Sequence, residues 1–202
     1  MVLNIPNALF RTEQLFAPSP EDGEVLARFG LRDIYSLDQY TTRTGLTSPG
    51  TVTERDPLGS GQAWTNMANA TASDNAYATA TISSSAYIRL WDVVLVSTVS
   101  QISNHKQSTK EIGTDDELMN LGSSSDLWGA TTLTPTLINN SGFGVEIAYI
   151  NLATYTKQLN CTNFGFSVPT WAEIKGIKVR IEHSISGNDI QVDHVQMEVY
   201  YY

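Results

Sequence analysis

From about Gly61 onward, apolar and polar positions alternate along the chain with a period of two, the spacing of a half-buried strand. Tyr77–Ile82 alternates large and small residues. Tyr87–Val96 (YIRLWDVVLV) reads as one long strand or as two joined by a bulge, and Val145–Ile150 alternates cleanly. Ile177, Val179 and Ile181 fall on one face of a strand, and Lys178, Arg180 and Glu182 on the other. Ile190 and Val192 continue the alternation. The phase then slips, because Val195, Met197, Val199 and Tyr201 occupy odd positions; a bulge at Asp193-His194 would absorb the extra residue. Clusters of Gly, Ser, Asn and Asp (GSSSD, NNSG, SGND) separate the runs. Many short strands with little helix predict an all-β fold, an antiparallel, jelly-roll-like β-sandwich over residues 59–202. The alternation predicts one covered and one wet side to each sheet.

Residues 1–58 carry no sustained period and hold five of the seven prolines. One short helix is predicted over Pro20–Phe29, with Glu21 and Asp22 at its positive end and Gly30 as its stop. Two readings remain open for this extended N-terminal arm. It is an inert leader, or it docks on a neighbouring subunit or another protein and buries Leu9, Phe10, Leu15, Phe16 and Phe29 there. At the other terminus, a persisting strand turns Tyr201 inward and Tyr200 and Tyr202 outward, which suits a subunit interface in a homo-oligomer.

The net charge of −9 repels phosphate backbones, so no nucleic-acid partner is expected. No window approaches eighteen apolar residues, so no membrane-spanning helix is expected. The N-terminus lacks a basic segment followed by an apolar run. The single cysteine, Cys161, excludes an intrachain disulfide and reads as a small buried hydrophobe. His105 reads as a solvated loop residue, His183 as outward-facing with Lys178 and Arg180, and His194 as part of the bulge. Nothing indicates that they converge on a metal. No nucleophile elbow, zinc helix, P-loop or dinucleotide fingerprint is present, so neither cofactor nor enzymatic activity is expected. Asp115, Asp116 and Glu117 are the densest acidic spot but lack calcium-loop spacing. Most of the four tryptophans read as core or rim packing. Asn140–Val145 echoes Thr162–Phe166, as if two strands began alike.

Three segments, AWTNMANATASDNAYATA, SSSDLWGATTLTPTLINNSGFGVEIA and LNCTNFGFSVPTWAEIKGIKVRIEH, resemble a β-sandwich module of tailed-phage and prophage virion proteins, together with the closing VDHVQMEVYYY. The matching positions run from Trp64 to Tyr202. The resemblance implies a virion structural protein made in the host cytoplasm. Its first reading is a capsid decoration, or cement, protein on the outer surface of the shell. The arm would bind the major capsid protein or another virion protein, and the sandwich would form a homo-oligomer such as a trimer. The alternatives are a tail or head fibre module adhering to host surface glycans through exposed Trp or Tyr, and a tail or connector component. Within the module, Phe164 and Phe166 are expected on one face of a strand with Gly165 between them. Pro169 and Trp171 are expected at a turn, and Gly176 at a bend before the next strand.

Overall fold

A computed structural model describes residues 41–83, 87–98, 100–131, 133–152 and 154–202. The five apolar residues of the expected arm, Leu9, Phe10, Leu15, Phe16 and Phe29, lie outside the described residues, as does the helix expected over Pro20–Phe29.

The described chain is an all-β sandwich of two antiparallel five-stranded sheets. The first has the order β1 (Thr42–Arg43), β10 (Asp189–Tyr201), β9 (Ile174–Ser186), β6 (Glu117–Gly122), with β3 (Ala78–Thr81) also paired to β10. The second runs β2 (Thr51–Arg55), β8 (Gln158–Thr162), β7 (Phe143–Ile150), β4 (Arg89–Ser97), β5 (Ser100–Gln101). Among the described residues the one α-helical segment, α1 (Pro135–Ile138), is a single turn capped by Thr134, whose hydroxyl accepts from Leu137 N at 3.2 Å.

The longest strands form where the alternation was strongest. In β9, Ile177, Val179 and Ile181 are fully buried, while Lys178, Arg180 and Glu182 are half-buried on the other face. In β10, Val192 pairs with His183 and His194 with Glu182, so Asp193 is the extra residue. That bulge lets Ile190 and Val192, and then Val195, Met197 and Val199, all enter the core despite their opposite parity. From the facing sheet come Leu90, Val93 and Leu95 of β4, Val145, Ile147 and Tyr149 of β7, and Leu159 and Cys161 of β8. Each large aliphatic side chain buried this way contributes about 1.5–3 kcal/mol.

Four expectations are corrected. The sandwich begins well before residue 59. Thr42 and Arg43 pair with Tyr201 and Tyr200, and Thr51–Arg55 pair with Thr162–Gln158, so residues 42–55 belong to both sheets and not to an arm. Phe164 and Phe166 are not in a strand. Positive φ at Asn163 (58°) and Gly165 (68°) takes the chain out of the ladder, and the two rings stack at 5.7 Å within the hydrophobic core. The echo between Asn140–Val145 and Thr162–Phe166 is therefore not two equivalent strand starts, because Phe143 opens β7 whereas Phe164 lies in a loop. Gly176 is inside β9 and not before it, beside a register shift at Lys175, and a Cβ there would come within 2.3 Å of Ser123 O, so the glycine permits close backbone approach. Pro169 and Trp171 do sit at a turn, with Ala172 N donating to Pro169 O at 3.0 Å.

The second sheet also departs from the covered-and-wet pattern. Strand β7 is buried on both faces: Gly144, Glu146 and Ala148 are as inaccessible as the core-facing Val145, Ile147 and Tyr149. On β4, Val94 lies opposite Glu146 and Val96 opposite Gly144, and both are fully buried on the face away from the core.

Candidate functional site

The outer face of the second sheet carries a polar network and a groove. Its origin is a bulge in β4. Leu90 pairs with Tyr149 and Asp92 with Ala148, so Trp91 is the extra residue. The bulge leaves the Trp91 ring half-buried and sends the Asp92 carboxylate to the outer face. There Asp92 accepts from His105 Nδ1 through Oδ1 and from Gln158 Nε2 at 3.2 Å through Oδ2. Gln158 Oε1 accepts from Arg55 Nη2 at 3.3 Å, and the same Arg55 nitrogen donates to Glu146 Oε2 at 2.5 Å. A continuous chain, Glu146–Arg55–Gln158–Asp92–His105, thus ties β7, β2, β8 and β4 to the loop after β5.

Beside this network is a groove of about 300 Å3, lined by Trp91, Asp92, His105, Gln101, Gln107, Tyr155, Gln158 and the segment Asp56–Leu58, among others. The Trp91 and Tyr155 rings stand 6.1 Å apart at 47°. The Asp56 carboxylate shapes the rim by accepting from Gly59 N (2.8 Å) and Gly61 N (3.1 Å). Lys157, also on the lining, is committed to Glu54 at 2.6 Å, and that hydrogen bond holds the Glu54 carboxyl below its ordinary value. His105, read from sequence as simply solvated, is a loop residue paired to Asp92. The groove escaped sequence reading because its parts come from five separate segments; the one local signal was the broken alternation at Trp91-Asp92.

A second polar cluster is sealed between the sheets. His183 is 0% exposed, which corrects its expected outward phase: it shares odd parity with Ile177, Val179 and Ile181. Its Nδ1 lies 2.9 Å from Tyr149 Oη, and its Nε2 lies 3.8 Å from Glu117 Oε1. Among the described residues neither Nε2 nor Oε1 has a hydrogen-bond partner. Burial lowers the His183 pKa to about 4, and it pushes the Tyr149 phenol and the Cys161 thiol up. At neutral pH the imidazole, phenol and thiol are therefore all uncharged, as burial between the sheets favours.

This cluster makes stability acid-sensitive. The unfolded chain binds a proton at His183 near pH 6.5 and the folded chain near 4. The contribution of a neutral His183 is therefore complete above about pH 6.5 and is lost as pH falls toward 4, roughly 3 kcal/mol in total. Urea midpoints measured from pH 7.5 to 4 on the native chain and on His183→Gln should diverge, with the variant losing less stability on acidification. Parallel curves would mean that His183 is hydrated or already charged in the folded state.

Of the residues expected at an interface, Tyr200 spends its hydroxyl within the chain, donating to Glu198 Oε2 at 2.6 Å. Tyr202 is 39% exposed, with Lys175 Nζ 4.4 Å from its ring centre. Tyr202 and Glu173 exchange backbone hydrogen bonds, so the 78% exposed Trp171 lies at the same end of the first sheet. Asp116 and Glu117 of the acidic spot are directed to Tyr77 and Lys110. Of the four tryptophans, expected mostly as core or rim packing, Trp64 and Trp128 are core residues, Trp91 is half-buried at the groove and Trp171 is exposed.

The class these features define is an antiparallel β-sandwich with an aromatic and amide-lined groove on its outer face. Comparison with protein-family models, with characterised proteins and with solved structures finds no match.

Proposed function

We propose that the protein is a structural component of a tailed-phage particle, a capsid decoration protein on the outer surface of the shell. The observation that carries this reading is where the shared motif residues sit. Trp64, Trp128, Phe143, Phe164, Phe166 and Val168 are all buried. Trp128 Nε1 donates to Ile177 O at 2.9 Å, and Trp64 Nε1 donates to Lys157 O at 2.7 Å, so both indoles lock loops onto strands. The motifs behind the resemblance are packing motifs, and what they encode is a module of architecture, not an active site. The acidic balance suits a surface that faces away from packaged DNA. In this reading the apolar clusters of residues 1–40 bind the major capsid protein or another virion protein. Trp171 and Tyr202 provide contact between copies in a homo-oligomer. No catalytic role enters.

Quantifying the protein on purified particles tests the reading. Hundreds of copies spread over the shell are expected. A few copies at a vertex or tail would replace decoration by a fibre or connector role, and absence from particles would end the virion reading.

A further inference from the structure

The geometry points to the Trp91–Tyr155 groove as a saccharide-binding site that takes a neutral sugar ring. Three observations lead there. First, the groove is concave and pairs two aromatic rings, tilted against each other at 47°, with the side-chain amides of Gln101 and Gln107. Sugars present an apolar C–H face and a periphery of hydroxyls. Rings take the former, and planar amides, which both donate and accept, take the latter. Second, the amides of Gln101 and Gln107 are on exposed residues and make no hydrogen bond to the described residues, whereas the buried Gln158 amide is fully engaged by Arg55 and Asp92. The lining thus separates into a fixed wall and unspent hydrogen-bonding groups, the division that orients a small ligand in a preformed pocket. Third, among the described residues the lining offers no uncommitted cation. Lys157 is paired with Glu54 and His105 with Asp92, while Asp56 adds negative charge. Phosphates, sulfates and acidic sugars are repelled, and a neutral ligand is favoured. A volume of about 300 Å3 is at the lower end for small-molecule pockets, which suits one ring with its neighbours extending into solvent.

The rigidity of the site comes from the polar chain behind it. Asp92 fixes one wall by holding both His105 and Gln158, so a ligand need not order those side chains on binding. This inference does not depend on a virion location. Particle counting leaves it untouched, and sugar binding alone does not place the protein on a particle.

The test uses the full chain on an array of neutral hexose and N-acetylhexosamine oligosaccharides, with sialylated and sulfated ones alongside, followed by titration calorimetry with the best neutral probe. The expected result is binding of one or more neutral oligosaccharides, weakened roughly tenfold or more in Trp91→Ala and several-fold in Gln107→Ala. Leu118→Ala, at an exposed position of β6 in the other sheet, should bind as the native chain does. Gln107 is exposed, so its truncation spares the fold and keeps the test valid if Trp91→Ala is unstable. Binding confined to acidic sugars, binding unaffected by Gln107→Ala, or no saccharide binding at all would each overturn the assignment.

Discussion

A chain that begins at Thr41 should fold, and a chain that begins at Gly59 should not. The segment between them crosses the sandwich from one sheet edge to the other. It starts as β1 against the end of β10, continues through Thr44 N to Val199 O (3.0 Å) and a reciprocal pair between Thr47 and Met197 (2.9 Å each), and passes Gly50 N to Asn163 O (2.9 Å). It then forms β2 along the whole of β8. Its removal strips the only described partner from one edge of β8. It also takes Glu54 from Trp64 N and Lys157, and Asp56 from the loop at Gly59. At about 1 kcal/mol net per hydrogen bond, these losses are comparable to the entire 5–15 kcal/mol that holds a domain together. The exposed edge would in addition invite association. Circular dichroism melts and size-exclusion profiles of the two truncations decide the matter. The expected pair is a cooperative monomodal melt for 41–202 and an aggregated or non-cooperative product for 59–202. Equal melting of both would show that β1 and β2 are ornaments on a core complete without them. The shorter deletion is also the proper test of docking, because loss of particle attachment by 41–202 cannot then be blamed on a broken sandwich.

The misplaced boundary shows what the sequence made legible. Strands whose inward positions carry large aliphatic residues announce themselves. The apolar inward positions of β9 and β10 could be read, with the bulge placed at Asp193-His194, because one slipped parity among eight apolar positions has a single economical explanation; the inward His183 and the start of β9 before Gly176 could not. Strand β2 is TVTER, with only Val52 apolar and prolines nearby on either side; an edge strand needs little burial, so its pattern was indistinguishable from linker. Phe164 and Phe166 fail in the opposite direction. Their alternation is genuine and both rings do pack on the same side, but the backbone between them passes through positive φ and never joins a ladder. The groove was hidden for a third reason. Trp91, Gln107, Tyr155 and Asp56 meet only after the register of four segments is set, and no local period encodes that meeting.

Replacing Arg55 by methionine should cost about 3 kcal/mol. Glu146 lies in the middle of β7 with its side chain 1% exposed, and Arg55 Nη2 is 2.5 Å from its carboxylate. Removing one member of a buried ion pair leaves the other charged and desolvated, which costs about 3–5 kcal/mol; the lower end applies because the Arg55 side chain is 33% exposed. The double variant Arg55→Met with Glu146→Met removes the orphaned charge along with its partner. Much of the loss should return, since apolar groups on that face would join Val94, Val96 and Ala148, which are already buried there. Urea denaturation of the two single variants and the double variant gives the coupling directly. A single-variant loss below about 1 kcal/mol would place the pair with ordinary surface ion pairs. A double variant no more stable than Arg55→Met would mean that the penalty comes from the rest of the chain. Arg55 also holds Gln158, which holds Asp92, so its loss would then be felt as a loosened wall on the groove, and the Trp91 fluorescence should shift in step with stability. The two outcomes distinguish a charge that must be matched from a strut that keeps a binding surface in shape.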